Sequence, residues 1–178
     1  SVEEALLLPR NLKHFTGHQK INPILVPLLP PGLEFLSIAD DNSERQEAPP
    51  MDLFGLQECR RLEIYGGSGF ISRLPPYLTS VNTLSPKPME LSFIKLLPAG
   101  LTHFMTSMPI NAAGGEEFSL FQLLPRGLTN LTLQGTIGSP PLKSTDLPRG
   151  LTHLVLPSFA PDRDWYEGLP AGLLSLAM

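Results

Sequence analysis

The sequence predicts a repeat solenoid. Its class is α/β, mostly β and irregular, with a curved parallel sheet of about eight strands and few or short helices on the outer side. Three observations predict it. First, one phrase recurs, Leu-Pro-x-x-Leu-Thr-x-Leu-x-Leu. It reads LPRGLTNLTL at 124–133, LPRGLTHLVL at 147–156 and LPAGLLSLAM at 169–178. Looser copies start at 8, 29, 74 and 97, and a copy at 55–64, GLQECRRLEI, has lost its Leu-Pro but keeps the spacing. Second, successive copies lie 19 to 27 residues apart, the length of one turn of a stacked coil. Third, proline supplies 20 of 178 residues, about twice the usual share of roughly 5%. Seven of those prolines belong to the Leu-Pro copies, so the excess is repeat chemistry rather than disorder.

Each element of the phrase has a physical job. Proline lacks an N–H and fixes φ, so it belongs before a strand rather than within its ladder. The glycine three residues after the first Leu (Gly32, Gly100, Gly127, Gly150, Gly172) is expected to supply a tight bend. Residues two apart share a strand face, so Leu131 and Leu133 point inward together, and Leu128 closes the turn into the same interior. Cys59 stands where other copies have Leu and is expected to be buried as a small hydrophobe. One coil cannot bury its own leucines, and stacked coils bury them against each other. Strands are expected at 12–16, 33–38, 59–64, 78–83, 101–106, 128–133, 151–156 and 173–177. At ~4.8 Å per strand the sheet would be roughly 35 Å long. Between strands, 40–50 reads as a polar exposed loop and 52–58 as a short helix behind an Asp52 cap. Residues 118–124 read as one helical turn or extended backbone, and 89–94 as a short extra strand.

The phrase resembles the leucine-rich repeat family over almost the whole chain. The Leu-Pro lead-in is similar to the LPX-type repeats of bacterial effector ubiquitin ligases, and the full phrase to FNIP-type repeats. The resemblance implies a curved solenoid with strands on its concave side. The chain departs from the family at the Asn three residues after the last Leu, for which it has Lys20, Asp41, Gly67, Lys87 or a near neighbour, Pro109, Thr136 and Phe159. Other groups must then satisfy those turns.

Length allows one domain, 1–178, with a sizeable core. The start at Ser1 and the last copy, which stops inside its own strand, make it read as a fragment of a longer chain. A net charge of −4 offers no basic footprint for nucleic acid. No apolar run approaches 18 residues, so no membrane insertion is expected. A single Cys forbids an internal disulfide and, with no visible signal peptide, favours a cytoplasmic compartment without establishing it.

The candidate site is the concave face: His14, Phe35, Arg61, Glu63, His103, Asn130 and His153. All but Glu63 fall in one column, two positions after the fifth-place Leu, with Ser80 and Ser175 completing it. The column is either a recognition stripe or the ordinary polar decoration of a solvated face. Arg60, Arg61, Glu63 and Tyr65 form a charged patch that suits a contact surface or internal ion pairs. Thr79, Thr102, Thr129 and Thr152 repeat as a structural ladder. His14 and His18 have H-x3-H spacing, but on a strand four residues span roughly 13 Å, too far to share one metal ion. No metal and no cofactor is expected, and no catalytic set emerges. Trp165 is expected in an outer turn folded onto the core. The expected function is therefore non-catalytic recognition or scaffolding of a protein partner. The alternatives are a structural component inside a larger assembly, in contact through its uncapped last coil, and the substrate-recognition domain of an effector ubiquitin ligase.

Overall fold

The computed structural model describes residues 8–20, 23–40, 50–66, 70–85, 89–107, 120–134, 143–157 and 163–178. Their main feature is a parallel sheet of eight strands. In chain order the strands are β1 (His14–Lys20), β2 (Phe35–Asp40), β3 (Met51–Asp52), β4 (Arg61–Gly66), β5 (Ile71–Arg73), β6 (Ser80–Leu84), β7 (His103–Thr106), β8 (Asn130–Leu133), β9 (His153–Val155) and β10 (Ser175–Ala177). The large sheet runs β1-β2-β4-β6-β7-β8-β9-β10, so its spatial order is its sequence order. β3 and β5 form a separate two-stranded parallel sheet.

The strands of the large sheet begin two residues later than the phrase suggests, because the fifth-place Leu is still in a turn. Its N–H donates to the carbonyl of the phrase's own proline: Leu33 to Pro30 at 3.2 Å, Leu101 to Pro98 at 3.0 Å, Leu128 to Pro125 at 3.2 Å and Leu151 to Pro148 at 3.0 Å. Proline thus contributes the one hydrogen-bonding group it has, its carbonyl. The first Leu of the phrase closes the turn before it. Leu97 N–H donates to Ile94, Leu124 to Phe121 and Leu147 to Ser144. Each helical segment among the described residues lies just ahead of a Leu-Pro: Pro23–Leu28, Leu91–Ile94, Leu120–Leu123, Ser144–Asp146 and Arg163–Gly168. Proline has no N–H to donate back into the preceding turn, and each segment ends before its Leu-Pro, although Pro23–Leu28 accommodates Pro27 within it.

Three expectations about local structure are corrected. Residues 52–58 are not a helix. Met51–Asp52 is strand β3, and Asp52 Oδ1 accepts from Phe54 N–H at 2.9 Å, so the residue caps a turn instead. Residues 89–94 are not an extra strand, since Leu91–Ile94 is one helical turn that buries Phe93 and Ile94. The phrase glycines are not needed for their φ. Gly66, at the end of β4, is the one described residue with positive φ, at 111°. At Gly127 closeness rather than φ matters, because an added Cβ would lie 3.2 Å from the Ala99 carbonyl. Around Gly100 and Gly172 there is open space. For 118–124 the helical alternative holds at Leu120–Leu123. The polar loop 41–49 and residues 1–7 lie outside the described residues.

The core lies on one face of the large sheet. The inward column of Leu36, Leu62, Val81, Phe104, Leu131 and Leu154 is buried, and so is the next one, Ile38, Ile64, Thr83, Thr106, Leu133 and Leu156. The fifth-place residues Leu33, Cys59, Leu78, Leu101, Leu128 and Leu151 are fully buried behind them. The Cys59 position is as expected. Met89, Phe93, Phe121 and Trp165 fill the space from the connecting segments. Trp165 sits in the Arg163–Gly168 turn, edge-on to Tyr166 with ring centroids 6.0 Å apart. Leu173 and Leu176 are only half-buried, and among the described residues no strand stacks beyond β10.

Candidate functional site

The outward face of the large sheet carries every residue of the candidate site. Register is continuous across the sheet: His14 pairs with Phe35, Phe35 with Arg61, Arg61 with Ser80, Ser80 with His103, His103 with Asn130, Asn130 with His153, and His153 with Ser175. Two residues on, a second outward column runs Thr16, Ser37, Glu63, Asn82, Met105, Thr132, Val155 and Ala177. Glu63 belongs to that second column, beside Arg61 on the same strand.

The two ends of the face differ. At the β1–β2 end, the His14 ring meets the half-buried Phe35 edge-on with centroids 5.8 Å apart, and Ser37 is buried. At β4, Tyr65 donates its hydroxyl proton to Glu63 Oε2 at 3.2 Å. Partial desolvation, and then proximity to that carboxylate, raise the Tyr65 phenol above its usual range. At the β7–β9 end, His103 and His153 are exposed and Asn130 is partly so.

Threonines hold that end in place. Thr102, Thr129 and Thr152 each direct Oγ1 at the carbonyl one strand back. Thr102 reaches Thr79 O at 2.9 Å, Thr129 reaches Thr102 O at 3.1 Å and Thr152 reaches Thr129 O at 3.0 Å. The same carbonyls accept two backbone N–H groups each, as Thr79 O does from Thr102 and His103. Each hydroxyl also meets the outward residue that follows it. Thr102 Oγ1 lies 2.9 Å from His103 Nδ1, and Thr152 Oγ1 lies 2.9 Å from His153 Nδ1. A hydroxyl has one proton and two lone pairs. With the proton given to the carbonyl, the oxygen accepts from Nδ1–H, and Nε2 is left facing solvent. Thr129 Oγ1 lies 2.9 Å from Asn130 Oδ1, a second acceptor competing with Thr102 O for the one hydroxyl proton.

The charged patch at 60–65 divides. Arg61, Glu63 and Tyr65 stay on the outward face, whereas Arg60 occupies the threonine column. Arg60 donates to Tyr77 O at 3.1 Å with its guanidinium 5.2 Å from the Tyr77 ring centre. Lys13 and Glu34 hold the same column in the first strands, joined at 2.8 Å. Lys13 therefore holds Glu34 below the ordinary carboxylate range, and Glu34 holds Lys13 above the ordinary amine range. These partners escape a reading of the phrase, because they are the places where the phrase is not followed. The signal was positional: Lys13, Glu34 and Arg60 align with the threonines.

Cys59 is no reactive thiol. Burial pushes it up to about 11, and Sγ donates to Arg61 O at 3.4 Å. Among the described residues no group of three or more His, Cys, Asp or Glu side chains converges to hold a metal ion, and no helix is long and apolar enough to cross a membrane. Compared with protein-family models, curated proteins and solved structures, the chain matches none of them.

Proposed function

We propose that the chain is a non-catalytic recognition module of the leucine-rich-repeat kind, a solenoid whose outward sheet face binds a protein partner. The observation that carries the reading is the continuous outward column from His14 to Ser175, with two of its histidines held in fixed orientation by threonines. Ordering side chains before the partner arrives lowers the entropy cost of binding. Decoration alone has no need of such support, since solvated polar groups are satisfied by water. The long side chains of Arg61 and Tyr65 extend the surface toward β4, and both types are enriched at interface hot spots.

The test is affinity capture from lysate followed by binding measurements with the captured protein. An Arg61→Ala, His103→Ala, His153→Ala variant is compared with an Asp164→Ala, Tyr166→Ala, Glu167→Ala variant on the outer turn. Loss of binding in the first and retention in the second is expected. The reverse pattern would favour a structural component that docks through its connecting segments.

A further inference from the structure

Charge is not spread evenly over the outward face. The chain as a whole is acidic, with 17 Asp and Glu against 13 Lys and Arg. Without the histidines counted, its two outward columns are neutral rather than acidic. They carry Arg61 and the protonatable His14, His103 and His153, with Glu63 as their single acid, itself engaged by the Tyr65 hydroxyl. Of the other described acids, Glu34, Asp52 and Glu58 pair with Lys13, Arg73 and Arg60 away from these columns.

The cationic positions are also periodic. In the first outward column they fall on β1, β4, β7 and β9, every second strand of the sheet, with Phe35, Ser80, Asn130 and Ser175 between them. Two strand spacings amount to about 9.6 Å. A polyproline II segment repeats every three residues at about 9.3 Å, with every third side chain on one side. A β-strand cannot match this spacing, because its residues three apart face opposite ways.

We propose that the column takes an acidic protein segment in polyproline II conformation, with a carboxylate at every third residue. Carboxylates then meet Arg61, His103 and His153, while Ser80 and Asn130 hydrogen-bond the chain between them. This rests on the sheet face being the recognition surface. The Thr102 and Thr152 hydroxyls accept from Nδ1–H whether or not Nε2 is protonated, so protonation turns the outward Nε2 from acceptor to donor without moving the ring. The groups beside the two rings are Ser80, Asn82, Met105, Asn130, Thr132, Val155, Ser175 and Ala177, none of them charged. Imidazole side chains in general gain a proton as pH falls through ~6.5, while glutamate stays ionised down to ~4.3. Affinity therefore increases on mild acidification.

The probe is a fluorescein-labelled Glu-Pro-Pro repeat, measured by anisotropy at low salt. It is compared with a peptide of the same composition whose glutamates are adjacent, with a Lys-Pro-Pro repeat, and with a short oligothymidylate. The Glu-Pro-Pro repeat should bind best, tighten toward pH ~6, and lose roughly fivefold in a His103→Gln, His153→Gln variant and at Arg61→Gln. Preference for the rearranged peptide, the lysine repeat or the oligonucleotide overturns the acidic-segment assignment. If the column variants weaken that preferred probe, the recognition surface itself survives. Glu-Pro-Pro binding that ignores all three substitutions overturns both the assignment and the surface. No measurable binding of any peptide overturns the assignment alone, provided the column variants still lose the captured partner.

Discussion

The first three strands of the large sheet and the strands β7 to β9 perform one structural task with different chemistry. In both regions a carbonyl at the end of each turn accepts two N–H groups from the next strand. Lys13 O does so from Glu34 and Phe35, and Thr129 O from Thr152 and His153. Between β7 and β9 a threonine hydroxyl adds a third donor, short and nearly identical at each step. In the early strands the same column is Lys13, Glu34 and Arg60, which join neighbouring strands through charge. The copy that has lost its Leu-Pro is also braced by arginine. Arg73 lies 4.0 Å from the Phe54 ring centre and pairs with Asp52 at 3.3 Å. A threonine step needs only the phrase itself. A charged step needs two residues from different copies to match.

The largest effect should be indifferent to this contrast. Leu36→Ala and Leu131→Ala each remove a fully packed side chain from the same inward column. Each should cost roughly 2–5 kcal/mol in urea denaturation. A cost near zero for Leu36 would show that the early strands are not part of one cooperative core. Next comes alkali. The folded Cys59 thiol keeps its proton up to about pH 11, whereas an unfolded thiol loses it lower. Its contribution is full below the ordinary thiol value and is lost as pH rises toward about 11. A Cys59→Ala variant, less stable at neutral pH, should show a shallower alkaline decline. In the folded parent the thiol should resist a thiol-reactive dye at neutral pH.

The smaller effects separate the two regions directly. Thr129→Val removes the hydroxyl while keeping the shape. It should cost about 0.5–1.5 kcal/mol at any salt concentration, toward the low end because Thr102 O keeps two N–H donors. Glu34→Gln should cost least, and its effect should fade in salt, because the pair with Lys13 is exposed. Glu34 contributes above the ordinary carboxylate range and loses that contribution as pH falls through its lowered value. Lys13 contributes below the ordinary lysine range and loses it as pH rises through its raised value. A salt-independent Glu34→Gln effect, or a salt-sensitive Thr129→Val effect, would erase the distinction.

Most of the sheet was legible from residue spacing. The L-x-x-L-x-L core sets the inward columns, and counting from the fifth-place Leu aligns His14 through Ser175. What failed was local. Residues 52–58 have an N-cap followed by apolar residues, yet Met51 pairs with Ile71 of β5, and that long-range ladder outweighs a weak helical preference. Residues 89–94 alternate weakly, but burying Phe93 and Ile94 against the sheet needs a helical turn. The threonines were legible as a ladder but not as supports for the histidines, because that contact depends on rotamers rather than spacing.

The sequence by itself determined that leucines two and three apart must share an interior, that proline must stand outside each strand, and that the outward column would be polar. Those follow from the period of a strand and from proline's missing N–H. Only the tertiary structure decided that the strands lie in one sheet in chain order, that Arg60 turns toward Tyr77 while Arg61 stays on the open face, and that Thr102 and Thr152 fix the rings of His103 and His153. The first two outcomes depend on a neighbour from another copy, roughly twenty residues away in sequence, brought to about 4.8 Å by strand pairing; the ring contacts join residues adjacent in sequence and depend on hydroxyls aimed at the carbonyls of a neighbouring strand.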